Sequence, residues 1–166
     1  MPSNIIVPIV ISVLVLAVIL IVNYFNYNLP SSMTEFSVPL GGHLKVNVTV
    51  AEDLVLLTSG CLQISAQTSR EQLLSIQAAL EGVQLSRPNA HDIFMHTLNE
   101  FNIKVLAVKV ESVREESYIS KIIIQQGNKI LNMDARPSDA IAIALRVNAP
   151  IYVKKSLFAD YGKSIC

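Results

Sequence analysis

The residues of this chain best placed to do chemistry lie in one short stretch, Asp134 to Asp139, which reads Asp-Ala-Arg-Pro-Ser-Asp. Two carboxylates, a guanidinium and a hydroxyl this close together can grip a phosphate, hold a divalent cation or move a proton. Pro137 suits a first helical position, where its missing N–H would have had no partner. Ser138 and Asp139 then fall in the first turn, where free backbone N–H groups and the positive end of the helix dipole favour acceptors and anions. A second group, His91-Asp92, follows Arg87-Pro88. In both places an Arg-Pro pair sets a guanidinium beside a helix start, a setting suited to phosphate. The same residues also have structural uses. Asp139 and Asp92 can cap their helices, Asp134 can pair with Arg136, and Ser138 can bond local backbone.

The elements that position them follow from periodicity and punctuation. A helix over 137–147 ends at Asn148, which tolerates the left-handed conformation, and Pro150 stops any continuation. A strand over 151–153 returns. A helix over 90–101 starts at the cap Asn89 and stops at Asn102, with Ile93, Phe94, Thr97, Leu98 and Phe101 expected to face inward. Thr68 with Glu71 three residues on reads as a capping box for another helix. That helix carries Leu73, Leu74, Ile76 and Leu80 as its stripe and ends at Gly82. Alternating Leu44, Val46, Val48 and Val50 predict one half-buried strand over 43–50. Short apolar runs over 53–58 and 61–66 flank Ser59-Gly60 as a hairpin. Strands over 103–113, 117–125 and 129–135 form an antiparallel meander through turns at 114–116 and 127–128. The tail, 154–166, has room for one helical turn. The expected class is α+β, a mostly antiparallel sheet with three packed helices.

Charge and hydropathy divide the chain. The 13 Lys and Arg balance the 13 Asp and Glu, and all lie after residue 34. That balance disfavours grip on nucleic acid through a broad basic surface, but not a local anion site. Residues 5–22 are almost all Ile, Val, Leu and Ala. At helical rise they span ~27 Å, close to a bilayer's hydrocarbon thickness. No Lys or Arg precedes the run and no Ala-x-Ala follows it, so it reads as a retained single-pass anchor rather than a cleaved signal. The expected layout is a tail at 1–4, an anchor at 5–22 in a lipid bilayer, a linker at 23–42 and a domain at 43–166. The charge pattern leaves open the side of the membrane that holds the domain. Cys61 reads as a buried strand residue, and neither it nor Cys166 has metal spacing. His96, five residues after His91, makes no helical zinc pair, and His43 reads as a surface residue.

Residues 61–153 resemble the bifunctional nuclease (BFN) domain family. Three stretches carry the likeness. One is Ala79-Leu80-Glu81-Gly82-Val83, followed by Arg87-Pro88 and His91-Asp92. Another is the strand meander. The last is 134–153, close to the family pattern D-x-R-P-S-D-A-I-A-L-A-L-R-x-G-A-P-I-x-V. Asn148 stands where the family has Gly, Asn89-Ala90 replaces a Leu-Thr pair, and Ile64-Ser65-Ala66 replaces a Trp-x-Gly strand end. A membrane anchor is not the family's usual arrangement. The resemblance implies an α+β domain that self-associates as a homo-oligomer and cleaves DNA and RNA. It also implies that His91, Asp92, Asp134, Arg136, Ser138 and Asp139 gather at one site. Phosphodiester hydrolysis there assigns Asp92, Asp134 and Asp139 as oxygen ligands for Mg²⁺ or Mn²⁺. His91 is then the general base, and Arg87, Arg136 and Ser138 hold the phosphate. The alternative is a non-catalytic oligomeric module that binds a phosphate-bearing ligand or a protein partner at the membrane.

Overall fold

The computed structural model describes residues 3–28, 36–84 and 86–166. The chain divides into two units, Met1–Thr34 and Glu35–Cys166.

The first unit holds α1 (Ser3–Asn28), a 26-residue helix with no charged side chain. Its large apolar side chains from Ile9 to Val22 are each at least half exposed. Among the described residues no helix is long and apolar enough to cross a membrane. The expected span at 5–22 begins in residues 5–7, whose side chains lie outside the described residues. Of the expected linker, 23–28 continue α1 and 29–35 lie outside the described residues.

The second unit is α+β, with two sheets rather than the expected one. Strands β1 (His43–Lys45), β2 (Asn47–Ala51), β3 (Leu54–Ser59) and β4 (Leu62–Gln67) come first, then α2 (Arg70–Glu81) and α3 (Ala90–Glu100). The meander β5 (Lys104–Arg114), β6 (Ser117–Gln126) and β7 (Lys129–Ala135) leads into α4 (Pro137–Arg146), β8 (Ile151–Lys154), α5 (Lys155–Tyr161) and β9 (Lys163–Ser164). One sheet runs β1-β8-β5-β6-β7 and the other β2-β3-β4-β9. The return strand β8 lies parallel to β5, with Val108 opposite Ile151 and Val110 opposite Val153. The strand expected over 43–50 is two strands in different sheets. The chain changes sheet at Val46, whose N–H donates to Ile151 O at 3.0 Å. Leu44, Val46, Val48 and Val50 all still face one core. Their unbroken alternation therefore hides the switch.

That core lies between the inner faces of the sheets and helices α2, α4 and α5. Ala140, Ala142 and Ala144 are fully buried on α4, so small side chains let the helix approach closely. Ser69, not Thr68, caps α2, accepting from Gln72 N–H at 3.4 Å. Gly82 ends the helix at φ 65°. α4 ends as expected, with Asn148 at φ 54° and Ala149 N–H on Ala144 O at 2.8 Å. The inward face expected of α3 is not buried as a whole. Leu98 is buried, whereas Ile93 and Phe101 are 59% and 62% exposed.

Cys61 is not a buried strand residue. It sits exposed in the β3–β4 turn, disulfide-bonded to Cys166 across a sequence separation of 105. β9 brings the tail there by pairing Leu62 with Ser164 and Gln63 with Lys163. His43 is also not a surface residue: its side chain is 6% exposed and meets Glu111 Oε2 at 3.1 Å.

Candidate functional site

The site grows from the first turn of α3. Asn89 Oδ1 accepts the N–H groups of His91 (2.9 Å) and Asp92 (3.1 Å), while Asp92 Oδ2 accepts Asn89 N–H at 2.9 Å. This reciprocal capping box orients both candidate residues. Asp92 Oδ1 accepts Arg146 Nε at 2.6 Å, from the last turn of α4. Arg146 also donates Nη1 to Ser75 O (3.1 Å) and Ala142 O (2.9 Å), and Nη2 to Ser75 Oγ (3.1 Å). The Arg146 and Asp92 side chains are only 6% and 7% exposed. Burial alone would raise the Asp92 pKa. The hydrogen bonds from Arg146 and Asn89, with the charges of Arg146 and His91, outweigh burial and hold it below the usual carboxylate value.

Ser75, in the middle of α2, is the hub. Its Oγ accepts Asn89 Nδ2 at 3.0 Å and Arg146 Nη2 at 3.1 Å, which fills both lone pairs. Its one O–H is then left for His91 Nδ1, 2.9 Å away. In the tautomer with Nδ1 accepting, the Nε2–H of His91 donates to Asp139 Oδ1 at 3.2 Å. Asp139 Oδ2 lies 3.5 Å from Arg136 Nε. A continuous chain thus runs from buried Asp92 through Arg146, Ser75 and His91 to Asp139 and Arg136. Exposure grows outward: the side chains of His91, Asp139 and Arg136 are 16%, 33% and 79% exposed.

This arrangement sorts the candidates. His91, Asp92, Asp139 and Arg136 are gathered. Asp134 is not in the chain. It is exposed on β7, and its Oδ1 lies 3.9 Å from Lys121 Nζ. Arg87 is exposed and makes no ion pair among the described residues. Ser138 lines a cleft of about 500 Å³ with Arg136 and Pro137, floored by Leu57, Ile64 and Ile141 beside Tyr118. α4 has no side-chain cap; Pro137 has no N–H and that of Ala140 bonds Arg136 O at 3.0 Å, which leaves the N–H groups of Ser138 and Asp139 uncapped. The expected cation ligands do not converge. Asp92 is held by Arg146, Asp134 faces Lys121, and Asp139 is shared by His91 and Arg136. Among the described residues no group of three or more His, Cys, Asp or Glu is placed to hold a metal ion. The donor set here does not fit a built divalent-cation site.

Sequence reasoning missed two members, Ser75 and Arg146. Each carried a signal. Ser75 is a polar residue beside Ile76 on the apolar side of α2. Arg146 lies seven residues, about two turns, after Asp139 and so on the same side of α4.

A family model of the bifunctional nuclease domain matches residues 58–165. The chain belongs to the bifunctional nuclease domain family. The match includes every member of the hydrogen-bonded chain from Ser75 to Arg146. An uncharacterized protein of Mycobacterium tuberculosis is 30% identical over 93 residues, 56% of this chain and 55% of that protein. Bifunctional nuclease 1 of Arabidopsis thaliana is 33% identical over 93 residues, 54% of this chain and 29% of that protein. Bifunctional nuclease 2 of Oryza sativa is 28% identical over 94 residues, 54% of this chain and 29% of that protein. The matched region therefore spans about half of the mycobacterial relative and under a third of the plant ones.

Proposed function

We propose that this bifunctional nuclease domain hydrolyses phosphodiester bonds of DNA or RNA at the open end of the chain, where Asp139, His91 and Arg136 meet. The supporting observation is that end itself, a partly exposed carboxylate oriented on one oxygen by an imidazole N–H and flanked by an exposed guanidinium. Arg136, held only at 3.5 Å, is free to turn and take a phosphate oxygen. The uncapped N–H groups of Ser138 and Asp139, next in the chain, add to the pull on an anion. Asp139 is then the group that takes a proton from the attacking water, since both His91 nitrogens are engaged; the P–O bond to the leaving oxygen breaks, and that oxygen takes a proton from solvent. His91, backed by Ser75, holds Asp139 in place. Ser75, 3% exposed, is too buried to attack a substrate itself.

Mg²⁺ or Mn²⁺ dependence stays within the proposal as a quantity for the assay, and no step is drawn through a cation. The apolar helix α1 supports attachment to a bilayer. The Cys61–Cys166 disulfide supports a domain that faces an oxidising compartment. Exposed Ile93, Phe101, Ile130 and Leu131 support self-association. A second reading, a non-catalytic module for a phosphate-bearing ligand or protein partner, draws on the complete internal pairing of Asp92, Ser75 and His91.

Cleavage of single-stranded RNA and DNA by the full chain in detergent micelles tests the proposal. His91→Gln lowers turnover, and Arg136→Ala mainly raises KM. If wild type cuts neither polymer with Mg²⁺, Mn²⁺ or EDTA while folded, the binding module is the correct reading.

A further inference from the structure

We propose that the face of the five-stranded sheet turned away from the core docks single-stranded nucleic acid, on Lys45, Lys121 and Lys154 around Tyr152. The choice of polyanion rests on the nuclease reading; the surface itself does not.

Strand alternation sets these residues on the side away from the core, where Lys45 and Lys154 are exposed and Lys121 is 41% exposed, while the side chains of Lys109 and His43 are 12% and 6% exposed. Val108, Val110, Ile122, Ile151 and Val153 belong to the core. Lys109, Lys121 and Tyr152 alternate with them and so project from the other side. Register then aligns a row across all five strands. Lys45 is opposite Tyr152, Tyr152 opposite Lys109, Lys109 opposite Lys121, and Lys121 opposite Asp134. One row on, His43 pairs with Lys154. At ~4.8 Å between strands, the row is ~19 Å long.

Charge on the face is uneven although the whole chain balances. Lys45 and Lys154 are exposed and make no ion pair among the described residues. Lys121 Nζ, 3.9 Å from Asp134 Oδ1, is only loosely held. Lys109 meets Glu111 Oε1 at 2.8 Å, and His43 takes the other oxygen of Glu111. Four lysines thus face two carboxylates, a local positive excess in a neutral chain. Half-buried Tyr152 stands between Lys45 and Lys109, a ring on which a base can stack.

The row also leads somewhere. It ends at Asp134, and Arg136 follows two residues later, within ~7 Å of extended chain. Arg136 touches Asp139. A strand laid across the lysines therefore runs to the β7 edge, two residues before Arg136.

The test is binding of a fluorescein-labelled oligouridylate, about a dozen nucleotides long, to the full chain in nonionic detergent, read by anisotropy across a salt series in EDTA. Each phosphate contact on a single strand contributes about 0.7 to the slope of log K against log salt. Lys45→Glu with Lys121→Glu lowers affinity about ten-fold or more and flattens the slope by about 1.4. Tyr152→Leu lowers affinity about five-fold or more with the slope unchanged. Lys163→Glu, on the other sheet, binds like wild type. Unchanged affinity in folded Lys45→Glu with Lys121→Glu overturns the proposal. So does wild type that ignores the RNA but binds phosphatidylglycerol vesicles through the same lysines, which assigns the face to a membrane. RNA binding without cleavage in a parallel Mg²⁺ assay counts against the nuclease reading and leaves the docking surface standing.

Discussion

Replacing Arg146 by Met keeps much of the stem's volume and removes the guanidinium from the centre of the buried chain. Asp92 then loses its 2.6 Å donor and keeps Asn89 N–H on its other oxygen. Ser75 loses a donor from each of its two oxygens. Removing one partner of a buried pair costs about 3–5 kcal/mol, because the remaining charge stays desolvated. For the unit Glu35–Cys166, each kcal/mol moves Tm by about 3–5 °C, so the variant melts ~10–20 °C lower at neutral pH. The pH dependence is the sharper sign. In wild type the folded Asp92 pKa is depressed, so its contribution is present above the unfolded value near ~3.9 and is lost as pH falls through the folded value. Without Arg146, burial prevails and raises the folded value above the unfolded one. The variant then regains stability as acid protonates Asp92. The gap between the two proteins is widest at neutral pH and narrows toward pH ~4. Melting followed by near-ultraviolet circular dichroism of the tyrosines reads this, since the chain has no Trp. A loss under ~1 kcal/mol, or a gap that stays constant with pH, would falsify the account of Asp92 as an ion held charged by Arg146.

Three further outcomes follow from the same geometry. Ser75→Ala strands His91 Nδ1, Asn89 Nδ2 and Arg146 Nη2, and costs about 1–3 kcal/mol in urea unfolding. A smaller effect would mean that Ser75 is not the hub. Cys166→Ser opens a loop that spans a sequence separation of 105; chain entropy sets the loss at about 4–5 kcal/mol, and an unchanged midpoint between reduced and oxidised wild type would contradict it. Asn148→Ala forces a Cβ-bearing residue without Asn's local hydrogen bonding to hold φ 54° and lowers stability by about 1 kcal/mol, whereas Asn148→Gly is neutral or better.

Much of the fold was legible because its signals are local. Asn89, Gly82, Pro137 and Asn148 each act through their own backbone, so caps and stops could be read one residue at a time. The exposed turn at Glu115 and Glu116, both at positive φ, likewise marked the β5–β6 hairpin. What failed was non-local. Val46 keeps the apolar alternation while the chain changes sheets. Ile93 and Phe101 show helical spacing but point to solvent. His43 looks isolated until β1 places it against Glu111 from β5. The site shows the same division. Arg136, Ser138 and Asp139 announce themselves by spacing. Ser75 and Arg146 matter only because α2, α3 and α4 meet, and no short pattern records that meeting. Asp134 carries the motif's spelling, yet strand alternation turns it toward Lys121 instead of Asp139.

The central claim is that Asp139 does the chemistry at the open end of the chain. The direct measurement is cleavage of single-stranded RNA by wild type and Asp139→Asn, purified identically from the full chain and matched for melting. Asn keeps an oxygen for the His91 N–H but loses the charge and the basicity. The account predicts that cleavage falls about a hundred-fold or more in the variant while its melting stays within a few degrees of wild type. Equal cleavage by both proteins contradicts it, since activity then comes from another site or another protein.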